Sequence, residues 1–300
     1  MTAPTVLDRL FFDLSPRLKL RVTGGDRVRF LNGQITNDIR KATGASGVEA
    51  CVLNAKGKME AHLFVHEDAG SFLIDADPAL RPVLQPRLER YVIADDVAIE
   101  DVTVQFSILH VIGGGAPGFD TLARIVSVDR FGTPGSDIWC PAAQRDQVAA
   151  MLAGEFKFCD ENCAEQLRIE QGIPRWGREL TPEIIPVEAN LERRCIDYEK
   201  GCYIGQETIS RMKMSGQRNK QLSGLVSLTQ APLTVDGDLL GGPEPKDAGW
   251  ITSVARRGHR PIALAYVKRG FNGVGMQLEA AGGGGRAPVQ VVDLPFSVDR

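Results

Sequence analysis

The chain has 300 residues, 43% of them hydrophobic and 24% charged, with a formal net charge of -3. These proportions describe an ordinary globular protein of two or three domains with ample core, and they exclude an overall basic field for nucleic acid. The first residues, MTAPTVLDRL, lack the basic start and apolar run of a secretory signal, and no apolar run reaches the ~18 residues of a membrane span, so a cytoplasmic protein without membrane association is expected.

Leu18, Leu20 and Val22 alternate with Lys19, Arg21 and Thr23, which predicts a half-buried strand. Asp26 then stands as the cap of a helix on which Val28, Leu31 and Ile35 recur. A second alternation through Val48, Ala50 and Val52 turns at NAKGK and returns through Met59, Ala61, Leu63 and Val65, the pattern of a hairpin. SFLIDAD reads as a strand, followed by a helix from Pro78 with Leu80, Leu84, Leu88 and Tyr91 as its buried stripe. Pro82 and Pro86 require that helix to be kinked or irregular in its first turns, because an interior proline deletes a hydrogen bond and clashes with the preceding turn. Strands around VAIEDV and VQFSILHVI complete an order that suits one antiparallel sheet with a helix on one side, an α+β arrangement.

DENCAEQLRIEQG reads as a helix capped by Asp160 or Asn162 and ended by Gly172 and Pro174. Beyond Gln221 the pieces LSGLVSL, GWITSVARR, IALAYVKR, MQLEA and VQVVDL alternate with glycine and proline turns, which predicts a small barrel or sandwich of about 80 residues. The expected division is a module over 1–220 and a barrel domain over 221–300. Glycine runs at Gly113 to Gly115 and Gly282 to Gly285 lack the Lys-Ser/Thr pair and helix of a phosphate loop and read as turns.

The cysteines at 51, 140, 159, 163, 195 and 202 are scattered, so free thiols are expected. Cys159 and Cys163 stand one helical turn apart, yet no CxxC pair or neighbouring histidine completes a metal set, and no metal ligands are assigned. Cys202 is the distinctive one. It sits in KGCYIGQE, Lys200 to Glu207, just before a helix predicted over Gln206 to Met214. A helix N-terminus and Lys200 both favour thiolate, and Gly201 and Gly205 let backbone approach a ligand. A small buried cysteine in a glycine-shaped turn fits the same spacing.

KGCYIGQE resembles the signature of the YgfZ-type folate-binding proteins, relatives of the glycine-cleavage T-protein that support iron-sulfur cluster maintenance. Further matches run in order through FLNGQITNDI, AEQLRIEQGIPRWGREL, IPVEANL, GWITSVARR and IALAYVKRG. The resemblance implies a T-protein-like cloverleaf of two interleaved α/β subdomains plus a C-terminal β-barrel, binding tetrahydrofolate or a one-carbon derivative. In the T-protein a glutamate of the segment resembling IPVEANL holds the polar edge of the pterin. That role carries over to Glu188, whose two acceptor oxygens suit the paired N–H donors of a 2-aminopyrimidinone, the alternative being a capping or surface acid. Tyr203 and Trp176 are then expected as walls for the ring and Arg218 as a contact for the glutamate tail, although buried aromatics and solvated arginines are the commoner roles.

T-proteins carry an acidic pair after the hairpin turn, where GKMEAHLFVH here offers Ala61 and His62. Glu60 is one residue away and therefore on the opposite strand face, and His62 is a packed or surface histidine or a group titrating near neutrality. The resemblance thus implies a folate-binding accessory protein for iron-sulfur cluster assembly or repair without turnover of its own. Cys202 is its functional thiol, Lys200 lowers the pKa of that thiol, and iron-sulfur enzymes or cluster assembly proteins are the partners. Nucleic acid is not an expected partner. A tetrahydrofolate-dependent one-carbon transferase or demethylase and a module that reads folate status are the alternatives.

Overall fold

In the computed structural model residues 9–119 and 122–296 are described; the stretch read above for a targeting signal lies outside them up to residue 8. The chain begins with β1 (Leu10–Asp13), β2 (Leu18–Thr23) and α1 (Arg27–Gln34), then β3 (Val48–Leu53), β4 (Met59–Asp68) and β5 (Ser71–Ala76). A 3-10 turn at Pro78–Leu80 precedes α2 (Leu84–Glu89), β6 (Ala98–Asp101), β7 (Phe106–Ile112), β8 (Arg124–Ser127), β9 (Gly135–Pro141), α3 (Arg145–Ala153) and β10 (Lys157–Phe158). Three helices follow, α4 (Glu161–Glu170), α5 (Glu192–Cys195) and α6 (Gln206–Ser215). The remaining strands are β11 (Lys220–Ser227), β12 (Asp238–Gly241), β13 (Lys246–Arg257), β14 (Arg260–Lys268), β15 (Gln277–Gly282) and β16 (Gly285–Val292). Among the described residues, one compact unit holds those up to Asp160 together with Glu192–Ser210. The other holds Glu161–Leu191 and those from Arg211 onward.

The first unit contains two five-stranded sheets, ordered β3-β4-β5-β2-β6 and β10-β1-β7-β9-β8. The predicted hairpin forms in the expected register, with Val48 opposite Val65, Ala50 opposite Leu63 and Val52 opposite Ala61. Every residue of β3 is buried, so both faces of that strand are covered. The 3-10 turn at Pro78–Leu80 absorbs the start of the proline-rich segment, and Pro86 falls in the first turn of α2, where an N–H has no intrahelical partner to lose. Leu80, Leu84 and Leu88 form the buried stripe, while Tyr91 is exposed.

Four expectations change. β7 pairs with β1 and β9 in the second sheet instead of joining the first, because periodicity sets a strand and not its neighbour. Lys19 is fully buried on β2, its ammonium donating to the carbonyl oxygens of Ser15 (2.6 Å) and Arg17 (2.9 Å). Asp26 occupies the cap position of α1, but its carboxylate accepts the Asp96 N–H at 2.9 Å and pairs with the Arg29 guanidinium at 3.3 Å instead of capping a helix backbone N–H. Cys159 and Cys163 are disulfide-bonded, where free thiols were expected; four residues of separation keeps two cysteines within bridging reach.

In the second unit α4 ends where Gly172 adopts φ +69° and donates to the Ile169 carbonyl, the predicted stop. The tail closes into a six-stranded barrel, β11-β14-β13-β12-β15-β16, filled by residues such as Leu225, Leu239, Ile251, Val267 and Val291. The glycines from 282 to 285 form the tight turn between β15 and β16. No helix among the described residues is long and apolar enough to cross a membrane.

Candidate functional site

Lys200 anchors the KGCYIGQE loop. Its buried ammonium donates to the carbonyl oxygens of Asn32 (2.7 Å), Ile35 (2.6 Å) and Asn37 (2.8 Å), at and just past the C-terminal end of α1, where a cation suits the helix dipole. Burial pushes its pKa down to about 8 against the pull of Asp38 and Asp197. The segment FLNGQITNDI and the cysteine motif are therefore docked on one another, with Ile204 N–H also donating to the Gly33 carbonyl at 3.3 Å. The hairpin turn supports the loop from beneath. Gly205 adopts φ +85°, and a Cβ there would lie 2.6 Å from the Asn54 carbonyl oxygen.

On this fixed base Cys202 is exposed, unlike a cysteine packed inside the turn. Tyr203 turns inward. Its ring centroid lies 5.1 Å from the Lys200 ammonium, and its hydroxyl is buried without a hydrogen-bond partner among the described residues. Burial, followed by the fields of Cys51 and Asp197, pushes its pKa up to about 12.

The other expected residues lie in the second unit. Glu188 is buried, and its Oε2 accepts the Ile185 N–H at 3.1 Å with the Lys220 ammonium 3.7 Å away. Its backbone is tied to the barrel, since Leu222 N–H donates to the Glu188 carbonyl at 2.8 Å. Lys220 also lies 5.5 Å from the ring centroid of Trp250 and 5.8 Å from that of Tyr266. Trp176 is half-buried in a bridge with Leu180, and Arg218 is half-buried just before β11. The structure thus groups Lys200, Cys202 and Tyr203 in one unit, and Glu188, Trp176 and Arg218 in the other.

One cluster escaped the sequence reading. Glu49 on β3, His62 on β4 and Cys195 at the end of α5 converge, with His62 Nε2 2.7 Å from Glu49 Oε1 and Arg194 Nε 2.7 Å from Glu49 Oε2. Burial pushes the Glu49 carboxyl upward, but His62 and Arg194 outweigh it and hold its pKa at about 2. Burial likewise opposes the His62 charge, yet hydrogen bonds to Cys195 and Glu49 raise its pKa to about 9. Burial drives the Cys195 thiol well above its ordinary value. The available signal was the hairpin register: Glu49 lies two residues from Cys51, and Cys51 pairs with His62.

No protein-family profile matches the chain. The tRNA-modifying protein YgfZ of Klebsiella pneumoniae strain 342 is 30% identical over 218 residues, covering 67% of this chain and 66% of that relative, just under two thirds of its length. An aminomethyltransferase of Streptomyces avermitilis is 25% identical across 95% of this chain and 85% of its own length. The crystal structure of glycine cleavage system aminomethyltransferase T from Bartonella henselae superposes with a TM-score of 0.83 at 20% identity, covering 100% of this chain and 92% of that one. The α+β architecture with its closed C-terminal barrel is thus the T-protein fold, and the sequence relatives within that fold place the chain in the YgfZ family, related to the glycine-cleavage aminomethyltransferases.

Proposed function

We propose that the protein is a tetrahydrofolate-binding accessory factor for iron-sulfur cluster assembly or repair, with Cys202 as its functional thiol. The observation that carries this reading is the exposed cysteine on a loop held by three hydrogen bonds from the buried Lys200 and by a glycine that admits no side chain. Such rigidity beneath an exposed thiol favours presentation of sulfur to a reactant over packing. Lys200 holds the loop and adds positive charge beneath it. Residues 1–220 serve as the folate-binding module and 221–300 as the barrel domain.

The ligand is tetrahydrofolate or a one-carbon derivative. Glu188 receives the pterin N–H donors, Trp176 walls the ring, and Arg218 meets the glutamate tail. Iron-sulfur enzymes or cluster assembly proteins are the partners. The Klebsiella relative is named for tRNA modification, so tRNA modification belongs among the cellular readouts.

The test is Cys202→Ser in a strain lacking its own homologue. Serine is nearly isosteric, so at an exposed position the melting temperature should move by less than ~2 °C, while support of cluster enzymes and of tRNA modification is lost. Full complementation by the serine variant would remove the thiol from the function. The aminomethyltransferase relatives favour a second reading, a folate-dependent one-carbon transferase or demethylase. Turnover of an aminomethyl or methylamine donor by the purified protein would establish that one instead.

A further inference from the structure

The hairpin beneath the motif loop carries a second constellation that the folate reading leaves unused. Glu49 and Cys51 lie two residues apart on β3 and so share a sheet face, and the register sets His62 of β4 opposite Cys51. Cys195 joins them from the end of α5, and one ligand atom each from Glu49, His62 and Cys195 fall within 4.8 Å of one another.

The surroundings fix Glu49 and Cys195. Arg194 Nε donates to Glu49 Oε2, and Arg194 Nη2 to the Asp129 carbonyl at 2.7 Å, so Glu49 keeps only Oε1 toward His62. The Thr36 hydroxyl donates to the Cys195 carbonyl at 2.6 Å and accepts the Cys51 N–H at 2.9 Å. The Asn37 amide donates to the carbonyls of Glu49 (2.9 Å) and Arg194 (3.2 Å). Two side chains thus tie the backbones of β3 and α5 together, the outer-sphere support that orients ligands in metal sites.

We propose that Glu49, His62 and Cys195 bind a divalent cation of borderline softness, zinc or ferrous iron. A thiolate beside an imidazole selects against magnesium and calcium, which take oxygen ligands, and one carboxylate oxygen completes a three-ligand set. Water fills the fourth position. The His62 to Glu49 separation of 2.7 Å opens to about 3.3 Å for two tetrahedral ligands with bonds near 2.0 Å. His62 is the ligand with room to make that adjustment, since its side chain is 13% exposed and provides the entry edge. Cys195 is fully buried, so no substrate reaches it as a nucleophile, whereas a cation does.

The test uses the full chain without an affinity tag, in a Cys202→Ser background to remove the exposed thiol, after dialysis against a chelator. Cobalt(II) is the optical probe. One equivalent should give tetrahedral d–d absorption together with a thiolate-to-cobalt charge-transfer band, and one equivalent of zinc should abolish both. Competition between zinc and anaerobic ferrous iron identifies the preferred ion. His62→Ala and Cys195→Ala should each weaken zinc binding at least tenfold, with thermal melts verifying the fold. Cys195 lies in the core, so the spectrum of the chain with both residues intact is the independent arm. A cobalt spectrum without the charge-transfer band, or zinc affinity unchanged by His62→Ala, overturns the site.

Discussion

Lys200 buries an ammonium among backbone carbonyls, and this has a measurable signature in pH. Its pKa in the folded protein is about 8, against ~10.4 for a lysine in an unfolded chain. Between those values the unfolded chain binds more protons, so the Lys200 contribution is least favourable below pH 8 and improves as the pH rises toward 10.4. Lys19, also pushed down to about 8 by burial, acts in the same direction. Tyr203 acts oppositely, but only above its unfolded value near ~10. Urea unfolding at pH 8 and pH 10 should therefore show the wild type gaining on the order of 1–2 kcal/mol relative to Lys200→Met, in which Lys19 and His62 are unchanged. Parallel pH profiles would show that Lys200 does not titrate in this window. At Glu188 the expected change is in binding. Glutamine keeps an oxygen for the Ile185 N–H, so the fold should survive Glu188→Gln while tetrahydrofolate affinity drops by about 1–3 kcal/mol. Calorimetry with unaltered affinity would take Glu188 out of the pocket.

The motif loop owes its shape to one glycine more than to the other. Gly205 has φ +85° and meets the Asn54 carbonyl, whereas a Cβ on Gly201 would meet nothing within 4 Å. Gly205→Ala should cost about 2–4 kcal/mol in urea unfolding, from backbone strain and steric conflict together, while Gly201→Ala should be nearly neutral. Equal effects of the two substitutions would mean that the contact with the hairpin turn does not hold the loop. Elements with strong alternation and turn chemistry, such as the β3–β4 hairpin and the strands of the barrel, were readable from sequence. β1 was not, because LFFD is buried on both faces and carries no period, and β8 is only four residues long. Lys19 shows another limit: an alternating pattern predicts an outward lysine, but carbonyls left free by the 14–17 turn made an inward one favourable.

For the molecule as a whole, the α+β class and the barrel follow from pattern, while the T-protein arrangement rested on ordered motif matches. The exposed Cys202 and buried Glu188 were reachable in the same way. The Glu49, His62 and Cys195 cluster was not, since its members are 13 and 133 residues apart in sequence and meet only through strand register and the return of α5. That return also dictates an order of events during synthesis. The chain leaves the first unit after Asp160 and supplies its missing piece only with Glu192–Ser210. At translation rates of roughly 5–20 residues per second, the hairpin turn waits on the order of 7–30 s for Gly205 to emerge. During that interval the buried surface of β3 and its thiol lack the cover of α5, so the nascent chain exposes apolar surface for longer than one whose units are contiguous, and a fragment ending at Asp160 is expected to aggregate.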